Sequence, residues 1–369
     1  MKGFAAMFDM RNLQKEILRL FWRSDALGQD AASKRKRKEA ISKDGLVISS
    51  HAEGDAGKCV YKYPKILFHY TSREAAVNIL SAARTSVASE QNECCFGFTD
   101  YRFLNDDREF KLGLEIATLW MKQNPNVFHE VLRNEILLLL EDKAEMQNFI
   151  PYVLSFSQES DSTVHWAAYT DRKDGGYALG LSFVDVNREV RSYNDVTREK
   201  ENMGELKSIS VPVLFCPCIY CSVKQLMGLR RKKMLSDEMR LVFNALFPSI
   251  NHALYESEMF DKNRRKVARW FAERIFYFAS LVKSEEFGFE KEWRLVARKD
   301  PVASSQVRIL GGKPRIVPLG LDLGTCLKEI VVSPHGDSPR LKLLAEIMAE
   351  QITGRGIRVR ASDSSYNGR

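Results

Sequence analysis

Two glutamates, Glu290 and Glu292, stand two positions apart where an apolar segment begins that runs on to Val296. The segment predicts a buried β-strand, in which residues two apart lie on one face. The carboxylates would then be neighbours, and burial together with mutual repulsion would raise their pKa values. Such a pair suits general acid–base chemistry or stabilisation of a developing positive charge, with Arg294 on the same face as an ion-pair partner.

A second candidate lies far upstream, at the end of another predicted strand. His69 and Tyr70 precede a capping box formed by Thr71 and Glu74, which predicts the start of a helix. The N-terminus of a helix attracts anions and phosphate groups. We therefore expect His69 to supply the second half of a site and to face the same cleft as Glu292.

Each of these residues also has an ordinary structural explanation. The charges around Glu292 could form a ladder of ion pairs on an exposed edge strand, and His69 could be a satisfied core histidine. Trp166 and Tyr169, on a predicted short helix, are more typical of a core than of a platform for a flat ligand. Asn105 suits the cap of a helix.

The composition is that of an ordinary globular protein. The chain has 369 residues, of which 44% are hydrophobic and 28% charged, and its formal charge of +8 permits contact with nucleic acid. It contains no run of about 18 apolar residues and no secretory signal, so we expect a cytoplasmic protein with no membrane partner. The seven cysteines are expected to be reduced.

Two basic runs are candidate nucleic-acid contacts, although a solvated linker or helix face is the alternative interpretation of such runs. Their residues are Lys34, Arg35, Lys36, Arg37 and Lys38 in the first run, and Arg230, Arg231, Lys232 and Lys233 in the second.

Familiar cofactor and metal motifs are absent from the sequence. Cys218 and Cys221 resemble half of a zinc site, but no second pair or fitting histidine spacing supplies four ligands, so we predict no metal. There is no Walker loop, no Gly-x-Gly-x-x-Gly after a strand and no Gly-x-Ser-x-Gly. These absences argue against an ATPase, a Rossmann dehydrogenase and an α/β-hydrolase.

The pattern of periodicities predicts an α+β protein rather than regular βαβ alternation. Residues 1–62 are predicted to form an N-terminal helical and basic extension, and residues 63–362 a single catalytic-like domain. Within that domain we expect a helical insertion at about residues 222–284. Residues 363–369 are predicted to be a disordered tail.

Five short blocks, in order and rough spacing, resemble one bacterial family of domains of unknown function, numbered twenty-nine seventy-one, over about residues 63–332. The blocks are Phe68-His69-Tyr70-Thr71-Ser72, Leu104-Asn105-Asp106-Asp107-Arg108-Glu109, Leu154-Ser155-Phe156-Ser157, Trp166-Ala167-Ala168-Tyr169 with Gly176 and Leu179-Gly180, and Glu290-Lys291-Glu292-Trp293-Arg294. The chain departs from the family at Asp106-Asp107, where the family usually has Asp-Pro. The family pattern is similar in turn to the ADP-ribosyltransferase superfamily.

This resemblance implies an ADP-ribosyltransferase-like split β-sheet core with helical insertions, and an enzyme that takes ADP-ribose from NAD. By analogy Glu292, or else Glu290, is the catalytic glutamate, and His69 holds ribose hydroxyls. Cleavage of the nicotinamide–ribose bond passes through an oxocarbenium-like state, which a carboxylate stabilises. The candidate NAD-binding residues are His69, Tyr70, Thr71, Ser72, Asn105, Ser155, Ser157, Trp166, Tyr169 and Arg294.

The implied acceptor is a nucleic acid or a protein, and a role as a bacterial toxin, effector or anti-phage defence protein suits this chemistry. Two other functions stay open. One is a non-catalytic nucleic-acid-binding or defence-sensor module that uses the basic runs. The other is a metal-dependent nuclease or hydrolase that uses Asp106, Glu109, Glu290 and Glu292.

Overall fold

The computed structural model of the protein describes residues 38–41, 48–51, 64–86, 96–104, 108–125, 130–142, 147–202, 213–221, 242–243, 258–298, 307–316, 321–353 and 357–364. The β-strands are β1 (Lys38–Ile41), β2 (Ile48–His51), β3 (Ile66–Ser72), β4 (Phe98–Asp100), β5 (Pro151–Ser157), β6 (Gly176–Ser182), β7 (Leu214–Pro217), β8 (Ile219–Cys221), β9 (Val282–Ser284), β10 (Glu292–Arg298), β11 (Arg308–Leu310), β12 (Lys313–Ile316), β13 (Leu327–Val332) and β14 (Arg358–Ala361). The α-helices are α1 (Arg73–Ser86), α2 (Arg108–Gln123), α3 (Glu130–Glu141), α4 (Thr163–Tyr169), α5 (Phe183–Asn202), α6 (Glu258–Ala279), α7 (Leu323–Cys326) and α8 (Ser338–Thr353).

Among the described residues, the main sheet has ten strands and forks at β5. One edge of β5 pairs along its whole length with β10, which pairs in turn with β7. On the other edge, β4 pairs with the start of β5, where Thr99 lies opposite Val153. Strand β3 pairs only with the end of β5, where Phe68 lies opposite Ser157. Strands β6, β13 and β14 continue the β3 branch, and β12 and β11 continue the β4 branch. This mixture of sheet and helices confirms the predicted α+β class.

Alternation along the strands gives the sheet two different faces. On β10, Trp293 and Leu295 pack into one apolar core, and we call that side of the sheet the Trp293 face. Val296 packs into a second core, built with residues of α2, α3 and α6. Glu292 and Arg294 share the alternation of Val296, so we call this side the Glu292 face.

Two predicted elements differ from the structure. Helix α1 begins at Arg73, and the hydroxyl of Ser72 accepts a hydrogen bond from the Ala75 amide at 3.3 Å. The predicted capping box is therefore wrong, because Thr71 still belongs to β3, where it pairs with Tyr177. In the predicted helical insertion, α6 is followed by a strand, β9, which pairs with β8.

A membrane-crossing helix is not found in the part of the chain that the structure describes. The described helices are either too short or too polar for that role.

Candidate functional site

Five charged side chains meet in the interior, on the Glu292 face. Lys283 lies at the centre, with its Nζ 2.7 Å from Glu290 Oε2 and 2.8 Å from Glu292 Oε2. The same Nζ lies 3.2 Å from Glu109 Oε1. We call Glu109, Lys283, Glu290, Glu292 and Arg294 the charge cluster. Its side chains are almost sealed from solvent, and their exposed fraction rises from 4% for Lys283 to 11% for Glu290.

The guanidinium of Arg294 closes the inner end of the charge cluster. Its Nε donates to Glu292 Oε1 at 2.7 Å, and its Nη2 donates to Glu292 Oε2 at 3.0 Å and to Glu109 Oε2 at 2.6 Å. Its Nη1 donates to the Ser280 carbonyl at 2.7 Å. Strand β10 lies between β5 and β7, so the interpretation of these charges as an exposed ladder on an edge strand is wrong.

Helix α2 delivers Glu109 to the charge cluster because Gly113, one turn later, packs directly against the end of α6. A Cβ at Gly113 would lie 2.5 Å from Ala279 Cα and 2.9 Å from its carbonyl oxygen. The missing side chain therefore permits a close approach of the two helices. Residues one turn apart share a helix face, so this approach also brings Glu109 towards Arg294.

Glu290 and Glu292 converge through a turn and not along a strand. Glu290 ends a 3₁₀ helix (Glu285–Glu290), and Glu292 is the first residue of β10. Between them Lys291 adopts the left-handed conformation, with φ 43° and ψ 49°. This conformation costs a residue other than glycine roughly 1 kcal/mol or more. The prediction that both glutamates lie on one strand is wrong, but the turn still aims both carboxylates at the ammonium of Lys283.

The two carboxylates have opposite electrostatic environments. Burial raises the pKa of Glu290, and the neighbouring Lys283 does not fully offset that effect. Burial acts in the same direction on Glu292, but Arg294 and Lys283 outweigh it and lower its pKa. The environment therefore favours the charged form of Glu292 and disfavours that of Glu290. Paired carboxylates whose pKa values are pushed apart are typical of acid–base sites.

Helix α4 borders the Glu290 end of the charge cluster. The hydroxyl of Tyr169 donates to Glu290 Oε2 at 3.5 Å. One turn earlier, the ring of His165 stacks on Tyr70, with 4.7 Å between the ring centroids and 23° between the ring planes. Both α4 side chains therefore lie on the side of the sheet that carries the charge cluster.

Tyr70 and Trp166 are enclosed by protein. Trp166 is 0% exposed, and its Nε1 donates to Asp161 Oδ1 at 2.6 Å. Tyr70 is 7% exposed, and its hydroxyl donates to the Glu159 carbonyl at 2.8 Å and accepts from the Ser162 amide at 3.1 Å. The expectation that either ring stacks on a flat ligand is wrong for this arrangement, because neither ring has an open face.

His69 lies on the Trp293 face, away from the charge cluster. Phe68 pairs with Ser157, which pairs with Glu292, so these three side chains share one face and His69, the next residue of β3, points to the other. Its ring meets Phe96 and Phe156 edge-on, at centroid distances of 5.4 and 5.9 Å. The expectation that His69 and Glu292 face one cleft is therefore wrong.

The side chain of His69 satisfies the backbone where the sheet forks. Its Nδ1 lies 2.9 Å from the carbonyl oxygen of Ser155, which stands between the residues of β5 that pair with β4 and with β3. Because a carbonyl only accepts, Nδ1 carries the proton. Burial lowers the pKa of His69 to about 4, so the ring is neutral. The position explains His69 as a structural residue of the fork.

The other predicted NAD-binding residues divide into three groups. Ser155 pairs with Arg294 across β5 and β10, and the Ser157 hydroxyl donates to the Glu290 carbonyl at 2.7 Å, so both serines adjoin the charge cluster. Thr71 and Ser72 lie at the α1 end of β3. Asn105, the last of the predicted NAD-binding residues, lies outside the described residues. Also outside them lie Asp106, a candidate of the metal-dependent alternative, and the nucleic-acid candidates Lys34, Arg35, Lys36, Arg37, Arg230, Arg231, Lys232 and Lys233, whereas Lys38 begins β1.

Three residues of the site were missed in the sequence. One signal could have identified Lys283, since it follows Leu281 and Val282 in an apolar run that predicts burial. A buried ammonium requires carboxylate partners, so Lys283 could have been expected near the glutamates. Tyr220 accepts a hydrogen bond at its hydroxyl from the Glu292 amide, at 2.9 Å. His165 left no signal in the sequence, since its importance depends on which side of α4 faces the sheet.

Protein cations already occupy the space between the carboxylates of the charge cluster. Lys283 and Arg294 stand where a metal ion would have to bind, which does not favour a metal-dependent hydrolase. In the described residues, no three histidine, cysteine, aspartate or glutamate side chains are grouped suitably for a metal. Burial raises the pKa of Cys218 well above its ordinary value and that of Cys221 to about 11, so both are buried thiols.

An open groove lies on the Glu292 face, beside the β3 branch of the sheet. Its volume is about 790 Å³, within the range of small-ligand sites. Phe68 forms part of its wall and stands two strands away from Glu292, in register. Its charges are largely paired: Arg360 Nε lies 2.8 Å from Glu329 Oε1.

One family model matches part of the chain. Residues 165–295 match the sequence model of a family described as "Protein of unknown function (DUF2971)". A search of curated proteins and a search of solved structures gave no match. The matched segment contains Lys283, Glu290, Glu292 and Arg294 but not His69. Over residues 165–295 the match supports the resemblance to this family that the sequence blocks predict.

Proposed function

We propose that the protein is an ADP-ribosyltransferase-like enzyme that uses NAD as donor, and that Glu290 is the carboxylate that meets the substrate. One observation carries this proposal. The charge cluster holds three carboxylates against two cations, and Glu290 is the least buried of the three. The surplus negative charge is therefore nearest to solvent at Glu290, where it would favour a positively charged transition state.

The chemistry follows from this surplus charge. When the bond between nicotinamide and ribose breaks, nicotinamide leaves with the bonding electrons and the ribose carbon becomes cationic. The carboxylate of Glu290 stabilises that carbon. A hydroxyl of the acceptor, or water, then bonds to the carbon and loses its proton. Glu290 is suited to receive this proton, because burial raises its pKa.

The neighbours of Glu290 keep it in position. Burial raises the pKa of Tyr169, so its hydroxyl stays protonated and can donate to Glu290. Ser157 holds the Glu290 carbonyl, and Lys283 holds one carboxylate oxygen. In this proposal Glu292 does not touch the substrate. It holds Lys283 and Arg294 in place through its two carboxylate oxygens. This structural role differs from the catalytic role that the family analogy implies for Glu292.

The nature of the acceptor remains a proposal drawn from charge. The chain carries a formal charge of +8, which favours an acidic acceptor such as a nucleic acid over a neutral one. The proposed reaction would then place ADP-ribose on a nucleic acid, with a protein as the alternative acceptor.

The test uses the purified full chain with NAD. Nicotinamide release is followed by chromatography, and transfer is followed with labelled NAD in the presence of RNA, DNA or protein. We expect Glu290→Gln to lower the rate about 100-fold or more, while thermal unfolding shows an intact fold. Glu159→Gln is the matched control, because this partly exposed glutamate pairs only with Lys291 in the described ion pairs near the site.

Two outcomes would contradict the proposal. One is the absence of NAD binding in calorimetry at millimolar NAD. The other is a Glu290→Gln variant that keeps wild-type turnover. Salt-sensitive nucleic-acid binding without NAD turnover would instead favour a non-catalytic module, and activity that a chelator removes would favour a metal-dependent hydrolase.

A further inference from the structure

His165 carries a buried polar atom that lacks a partner. The residue is 4% exposed, and its Nδ1 makes no hydrogen bond with any described residue. Buried polar atoms are normally hydrogen-bonded, so an orphan of this kind requires an explanation such as a bound ligand. The ring itself is well held, because it stacks on Tyr70.

The orphan atom belongs to the surroundings of the charge cluster. His165 and Tyr169 are one turn apart on α4, with 5.9 Å between their ring centroids, and Tyr169 reaches Glu290. The imidazole is also close enough to Glu292 and Lys283 to feel their charges. His165 therefore lies beside the Glu290 end of the charge cluster, where the least buried carboxylate stands.

The ring is neutral at physiological pH. Burial lowers the pKa of His165 to about 4, and the nearby Glu292 does not reverse this effect. A neutral imidazole binds hydroxyl or amide groups well, but it gives no charge to hold a phosphate. The expected partner is thus an uncharged polar group.

We infer that His165 is a substrate-binding residue whose Nδ1 hydrogen-bonds a hydroxyl of the ribose that lies against Glu290. This inference rests on the proposed function and deepens it, since it assigns to α4 the ribose contact that the family resemblance assigns to His69. Tyr169 orients the carboxylate and His165 orients the sugar, so one turn of one helix would set both groups.

Three substitutions at His165 separate binding from packing. His165→Phe keeps a ring on Tyr70 and removes Nδ1, and we expect KM for NAD to rise about 10-fold with an unfolding temperature equal to or above that of the wild type. Asparagine places a polar atom near the position of Nδ1, whereas glutamine places one near Nε2. We therefore expect His165→Asn to keep KM closer to the wild-type value than His165→Gln does. A His165→Phe variant with wild-type KM would overturn the inference.

A second readout does not depend on turnover. The full chain is labelled with ¹⁵N-histidine, and the Nδ1 resonance of His165 is followed while ADP-ribose or, as the phosphate control, pyrophosphate is added. We expect ADP-ribose to shift the resonance and pyrophosphate to leave it unchanged. No shift at millimolar ADP-ribose would overturn the inference, even if NAD is turned over. A shift without any turnover would contradict the proposed function alone and leave the binding site standing.

Discussion

Arg294 and Glu292, two residues apart on β10, form a two-bond ion pair in the protein interior, with N–O distances of 2.7 and 3.0 Å. The second nitrogen also reaches Glu109, so removal of the guanidinium would leave three buried carboxylates with one ammonium. A buried charge without a partner is far more costly than an exposed one. The charge cluster is therefore both a candidate site and a structural element of the core.

We expect Arg294→Met to lower the free energy of unfolding by about 3–5 kcal/mol, because it leaves buried carboxylates unpaired. The control is Lys291→Met, which removes the cation of the exposed 2.6 Å pair with Glu159 and should cost no more than about 1 kcal/mol. Urea unfolding measures both values. Equal losses in the two variants would show that burial does not set the strength of this pair.

The close contact between α2 and α6 leads to a second prediction. Gly113→Ala places a Cβ against the backbone of Ala279, so we expect a loss of about 1–3 kcal/mol in unfolding free energy. Gly288→Ala is the control, since no atom of the described residues lies within 4 Å of its added Cβ, and it should stay within about 0.5 kcal/mol of the wild type. A neutral Gly113→Ala would mean that α2 can shift without cost and that Glu109 is not held by this contact.

His69 is predicted to act on stability and not on turnover. His69→Phe preserves a ring between Phe96 and Phe156 but leaves the Ser155 carbonyl without its donor, so we expect a loss of about 1–2 kcal/mol. NAD turnover by the folded variant should equal that of the wild type. A His69→Phe variant with unchanged unfolding free energy and lost turnover would show that His69 belongs to the active site.

The pH dependence of turnover should report Glu290. Burial raises its pKa above the ordinary value of 4.5, and the proposed reaction requires the carboxylate. The rate should therefore fall as the pH is lowered through a value above 4.5, measured as kcat/KM against pH. An acid limb below 4.5 would assign the required carboxylate to another residue.

The pH dependence of stability should report Glu292, with the opposite shift. Its pKa in the folded protein lies below the ordinary 4.5, so it stabilises the fold fully above that pH and loses this contribution as the pH falls towards the lower value. Between pH 5 and 3, unfolding free energy should therefore fall more steeply for the wild type than for Glu292→Gln. An equally steep fall of unfolding free energy in the two proteins would contradict the assignment of this pH dependence to Glu292.

Much of the local structure could be predicted because it depends on short-range patterns. The strand around Leu295 and the short helix at Trp166 follow from alternation and from helical spacing, and both are present as β10 and α4. The turn at Lys291 could not be predicted, because left-handed backbone at a lysine has no sequence signature comparable to glycine. The start of helix α1 shows a smaller error, because the residue that caps it is Ser72 and not the predicted Thr71.

The sequence by itself determined the α+β class and the grouping of Glu290, Glu292 and Arg294, since residues within five positions of one another stay close in any fold. Only the tertiary structure decided that Lys283 joins this group and that His69 does not. The physical reason is that the face of a strand residue depends on register, and the register of β3 against β5 is set where the sheet forks, by pairing between segments distant in sequence.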